Sequence, residues 1–124
     1  MRTSRLELLQ WVGLLGAALV WTAQLVIGYG VADSRCTLAG QRWGLDLRTW
    51  EITLMVVAAA LVLIAEGAAV AVFRATRDRD HNDPPPAGRH RFFSSAAVVG
   101  NVLFLVIVLL SGLGAVAHTA CRQA

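Results

Sequence analysis

Three long apolar blocks, residues 8–31, 52–73 and 92–117, decide what this chain can fold into. Each exceeds the roughly 20 residues needed to cross a hydrocarbon core of about 30 Å. A soluble fold cannot hide them, because three helices that are apolar all round, in a chain of 124 residues, leave nothing to cover their outer faces. The expected fold is therefore all-α: an integral membrane three-helix bundle, one domain over residues 1–124, with connecting loops at 32–51 and 74–91.

Hydrophobic residues make up 56% of the chain and charged residues 15%. The charged share is low because charge is confined to the connections. The net charge is +3, and all eleven basic residues are arginine. These arginines flank the apolar blocks rather than clustering into a stripe for phosphates, so no nucleic-acid partner is expected. The expected partners are the lipid bilayer and either other membrane subunits or further copies of the chain.

The one acid inside an apolar block, Glu66, has to be weighed against insertion. An ionisable group near a helix centre costs roughly 2.5–3.5 kcal/mol on the insertion scale. The same block holds eleven Ile, Leu, Val or Phe residues. At roughly −0.3 to −0.6 kcal/mol each, these outweigh the carboxyl. The second block should cross.

Arginine placement gives an orientation. Arg2, Arg5, Arg74, Arg77, Arg79, Arg89 and Arg91 belong to the N-terminal tail and second loop; Arg35, Arg42, Arg48 and Arg122 belong to the first loop and C-terminal tail. The majority side is expected to face the cytoplasm, placing the C-terminus outside. A cleaved signal peptide is the competing reading of the first block, with Arg2 and Arg5 as its basic region and Gly30-Val31-Ala32 as its cleavage site. Against it, the block is longer than the 7–15 apolar residues of a signal peptide, and Trp11, Trp21 and Gln24 suit a retained helix.

The two loops differ in character. The second is dense in charge and holds Pro84-Pro85-Pro86, which favours a solvated linker of extended polyproline geometry. The first interleaves Trp43, Leu45, Leu47 and Trp50 with Arg42, Asp46 and Arg48, a pattern expected to lie along the outer headgroup layer.

The cysteines are the most specific signal. Cys36 follows the first block and Cys121 the third. Two crossings separate those points, so both fall on the same face of the membrane. On an oxidising face they can form a disulfide closing 121 − 36 = 85 residues of chain. Chain-entropy models credit a loop of that size with about 4–5 kcal/mol if unstrained. The disulfide is favoured over two unrelated thiols, because a shared compartment is a condition chance often fails.

Gln24, Glu66, Asn101 and Ser111 are the intramembrane polar candidates, with Thr22, Thr53, Ser94 and Ser95 also inside the blocks. Helical rise places Glu66 about 10 Å from the inner end of its block. Asn101 should lie at similar depth, where its amide could donate to the carboxyl. Glu66 then reads either as a proton- or ion-binding carboxyl or as interhelical glue, and glue is favoured because no His, Lys or second acid accompanies it. At 100° per residue, Gly13, Ala17, Gln24 and Gly28 share one face of the first helix. Ser94, Ala97, Asn101, Gly112, Ala115 and Thr119 share a face of the third. Small and polar stripes are how membrane helices approach closely, so helices one and three are expected to pack through them.

The remaining chemistry is sparse. His81 and His90 fall in the charged loop and His118 at the outer end of the third block. No pair of facing histidines for haem and no spaced ligand set for a metal is found. His81 with Asp80 and Asp83 reads as a solvated cluster. There is no nucleophile–base pair, phosphate-binding glycine loop or C-x-x-C, so a non-enzyme without cofactors is expected.

Trp21, Gln24, Tyr29 and Cys36, a W-x-x-Q pattern followed by a cysteine, resemble a family of small three-helix membrane proteins encoded near bacterial haem–copper oxidase genes. The resemblance spans the first helix and its exit. It implies an accessory or assembly role beside a respiratory complex in the bacterial inner membrane, and it assigns no catalytic residue. The alternative is a small oligomeric transporter or channel built around Glu66. Small multidrug transporters are of similar length, but they have four helices with the glutamate in the first. A holin-like pore is disfavoured by the outward C-terminus.

Overall fold

The computed structural model describes residues 3–37, 44, 46–118 and 121. Among them are three helices and no strand: α1 (Thr3–Cys36), α2 (Leu47–Ala75) and α3 (Ala87–Ala117). All three are long and apolar enough to cross a membrane. At 1.5 Å per residue even the shortest, with 29 residues, is about 43 Å long, so every helix outruns a hydrocarbon core of about 30 Å.

The helices extend beyond the apolar blocks, and this redraws both loops. Cys36 is the last residue of α1 rather than a residue in the loop after it. Leu47, Arg48 and Trp50, expected along the headgroup layer, instead form the first turn of α2. Asp46 stands at the N-cap with extended backbone, and its carboxylate accepts the Thr49 hydroxyl at 2.7 Å. That local bond turns the chain into the helix. Arg42, Trp43 and Leu45 lie outside the described residues.

At the other end, α2 stops where the Thr76 hydroxyl folds back onto the Val72 carbonyl at 2.8 Å. Arg91 then donates to the Phe73 carbonyl at 3.1 Å, while its guanidinium lies 4.0 Å from the centre of the Phe73 ring. This satisfies one of the carbonyls that a helix terminus leaves unpaired, and it ties the end of α2 to the start of α3. The loop between them is exposed along most of its length. Its prolines do not run on as an extended segment: Pro85 and Pro86 form a turn, and Pro86 takes helical dihedrals at the N-cap of α3. Proline is tolerated there because the first turn of a helix has no use for its amide. Gly88 follows two residues later, where an added Cβ would meet the carbonyl oxygens of Asp83 and His81.

The three helices all pack on one another. Buried positions recur every three and four residues: Gln10, Gly13, Ala17, Gln24 and Gly28 on α1; Ala58, Val62, Ala65, Ala69 and Val72 on α2; Ser94, Ala97, Asn101, Val108 and Gly112 on α3. A 3.5-residue recurrence is the seam of left-handed helix packing. The stripes expected on α1 and α3 are these buried faces, except that Ala115 is exposed and Thr119 lies outside the described residues. The stripes join α1 to α3 as expected, through Asn101 and Gln24, and they take in a further partner. The small residues of α1 and α3 receive α2: an added Cβ on Gly13 would stand 2.9 Å from the Ala69 backbone, and one on Gly112 would stand 2.7 Å from the Met55 Cβ. Ala69 of α2, unremarked in the sequence, is what allows the approach at Gly13. The opposite faces carry Leu, Ile, Val and Phe side chains such as Leu19, Val26, Ile64, Val99 and Leu110, each more than 60% exposed. An outer surface of this kind is consistent with contact to a bilayer.

Candidate functional site

Most polar side chains inside the bundle join one helix to another. Asn101 donates its amide to the Gly13 carbonyl at 2.9 Å, and Gln24 donates to the Val108 carbonyl at 3.3 Å. Both bonds run between α1 and α3, and both side chains are buried. A third link lies nearer the N-terminal end, where Gln10 Oε1 accepts from His90 Nδ1; both residues are buried there as well. Arg89 and Glu7 add an exposed ion pair at 3.8 Å beside it. The hydroxyls behave differently. Thr22, Thr53, Ser94 and Ser95 donate to carbonyls of their own helices, three or four residues back, and bridge nothing.

Glu66 joins no helix to another either. It borders the buried stripe of α2 between Ala65 and Ala69, its side chain is half-buried, and its Oε2 is buried with no hydrogen-bond partner. The expected bond from Asn101 is not made. Asn101 lies level with Gly13, which abuts Ala69. Glu66 is three residues from Ala69, about 4.5 Å along the axis. The two residues therefore lie at similar depth, as expected, but the amide is turned toward α1. The Gly13 carbonyl accepts the amide in its place.

Cys36 and Cys121 are brought together at the far end of the bundle. Their sulfurs stand at bonding distance, 2.18 Å, with Cα atoms 5.4 Å apart. Ser111 is half-buried near this end and, with Gln24, lines an open groove beneath the cysteines.

Gln10, His90 and Glu51 are buried polar residues that the sequence does not single out. Gln10 sits inside the first apolar block and could have been marked for the same reason as Gln24. His90 was assigned to the charged loop; its burial follows from α3 starting at Ala87, a start that Pro86 signals. Glu51 was placed in the first loop, yet it is 8% exposed within α2. Its Oε2 would stand 3.3 Å from a Cβ added to Gly28. Among the described residues no group of three or more His, Cys, Asp or Glu side chains could hold a metal ion. Comparison with family models, curated proteins and solved structures finds no match to this chain.

Proposed function

We propose that this chain is a non-catalytic integral membrane protein of the bacterial inner membrane, N-terminus cytoplasmic, that serves as an accessory or assembly subunit of a larger membrane complex. The observation that carries this reading is the unpartnered Glu66 Oε2. Asn101, Gln24 and Gln10 are already engaged in holding the bundle together. Glu66 is half-buried, and Leu63 three residues before it is 57% exposed, so Glu66 borders an apolar outer surface. A donor from another subunit docking on that face would complete it, because a polar group in hydrocarbon gains most from a partner that lipid cannot supply. The resemblance carried by Trp21, Gln24, Tyr29 and Cys36 makes a respiratory complex the first complex to look in.

The same unpartnered oxygen also favours a second reading, an oligomeric transporter or channel with Glu66 as its proton- or ion-binding carboxyl. The close approach of α1 and α2 at Gly13 and Gly16 favours a path that runs between copies. One substitution separates the readings. Glu66→Gln keeps the shape and removes the charge. In an accessory subunit it should weaken assembly with the partner, seen on native gels of mildly solubilised membranes, and leave ion flux through protein-containing vesicles unchanged. Vesicle flux that depends on Glu66 would contradict the accessory role.

A further inference from the structure

Beneath the Cys36–Cys121 pair, an open groove of about 700 Å³ runs between the ends of all three helices. Its volume falls within the roughly 300–1,000 Å³ of small-molecule sites. The walls are kept apart by residues without bulk: Gly28 and Ala32 on α1, Gly114 and Ala115 on α3. Leu25 and Leu47 supply an apolar side.

The polar lining is unbalanced. Glu51 lines the groove, is 8% exposed, and among the described residues has neither a hydrogen bond nor an ion pair. Gln24 lines it too, is also 8% exposed, and has given its donor to Val108; its Oε1 is buried without a partner. Asp33 adds a second carboxyl. Among the described lining residues no arginine answers these acceptors; His118, the basic group present, has its Nδ1 engaged with the Gly114 carbonyl at 3.0 Å. The carboxyl of a largely buried glutamate and a buried amide oxygen, both lining the groove and without a partner among the described residues, call for a ligand that brings donors and positive charge. A metal ion is a poor match, since the described residues offer no set of three ligands. An ammonium group needs no fixed coordination polyhedron and presents several N–H donors at once.

We propose that this groove binds an organic ammonium carried on an apolar chain, the ammonium held by Glu51 and the Gln24 Oε1 and the chain lying along Leu25 and Leu47. The ammonium can come from an aminophospholipid headgroup or from a free amphiphilic amine. The site is independent of Glu66 and of the role assigned to it.

The test uses the full chain in phosphatidylcholine nanodiscs, titrated calorimetrically with decylamine and, in parallel, with decanol. Decylamine should bind saturably and decanol should not. Glu51→Gln, which preserves shape, should weaken decylamine binding by about tenfold or more, the scale of a lost charge-assisted contact. Native mass spectrometry of protein taken from discs containing phosphatidylethanolamine separates the sources. A retained phosphatidylethanolamine that Glu51→Gln releases identifies the lipid; decylamine binding without lipid retention identifies a free amine. Equal binding of decanol, or decylamine binding unaffected in a folded Glu51→Gln protein, overturns the proposal. A dimer of the chain that forms only with Glu51 intact also overturns it, since a second copy would then fill the groove. Should Glu51→Gln fail to fold, the decylamine–decanol comparison on the unaltered protein decides alone.

Discussion

Asn101 of α3 reaches across to the Gly13 carbonyl of α1 at 2.9 Å, and Gly13 at the same level lies against the Ala69 backbone of α2. All three helices therefore meet at one point, held by one side-chain hydrogen bond and by the absence of a side chain. Asn101→Leu removes the bond while keeping the bulk. Interhelical bonds of this kind contribute about 0.6 kcal/mol on average and up to about 1.7. Reversible unfolding of the purified protein in mixed micelles should show a loss in that range.

Gly13→Leu should cost more than Asn101→Leu. The new side chain would start 2.9 Å from the backbone of Ala69, which cannot rotate away as a flexible side chain would. Overpacking of this kind typically costs about 1–3 kcal/mol, and here α1 must also move off α2. Gly30→Ala is the matched control, since nothing lies within 4 Å of the added Cβ. It should be neutral or slightly stabilising in the same unfolding experiment.

The buried Gln10–His90 pair should behave as a unit. Removing either partner alone leaves a buried polar group unsatisfied, at about 1–3 kcal/mol. Gln10→Leu combined with His90→Phe removes both. The double variant should be less destabilised than the sum of the singles, with a coupling of about 0.5–3 kcal/mol in a double-mutant cycle. Strict additivity would mean that the two side chains do not interact.

The start of α2 should respond to acid through Asp46. The Thr49 hydroxyl holds this carboxylate below its ordinary value of 3.8, with backbone amides and Arg48 adding to the effect. A carboxyl lowered on folding contributes stability that is present above the unfolded value and lost as pH falls through the lower, folded one. Carboxyl chemical shifts should show Asp46 titrating below 3.8 in the native protein and moving up toward it in Thr49→Val. Since Asp46 is exposed, the effect should stay local to the first turn of the helix.

Much of the fold was legible in the sequence because lipid-scale hydrophobicity leaves few options. The number of helices, the shared end of the bundle for the two cysteines and most of the buried faces of α1 and α3 followed from block length and angular position. The stripe on α2 did not, because alanines 58, 65, 68 and 69 are indistinguishable by hydropathy from the alanines around them; the close approach of Gly13 to Ala69 and of Gly16 to Ala65 is what marks this face. Helix ends were set by Pro86 and Asp46 rather than by hydropathy, so Glu51 and His90 were read as loop residues. The Asn101 partner was misjudged because depth can be counted along a helix, whereas a side chain's heading depends on which neighbour comes closest.

Sealed, right-side-out vesicles treated with a reductant and then with a membrane-impermeant maleimide give the most direct measurement. With three crossings, Cys36 and Cys121 should both label from outside after reduction. Neither should label before it, and the unreduced protein should run faster on denaturing gels than its Cys36→Ser variant. Labelling of the two cysteines from opposite sides would contradict three crossings and the pairing that rests on them.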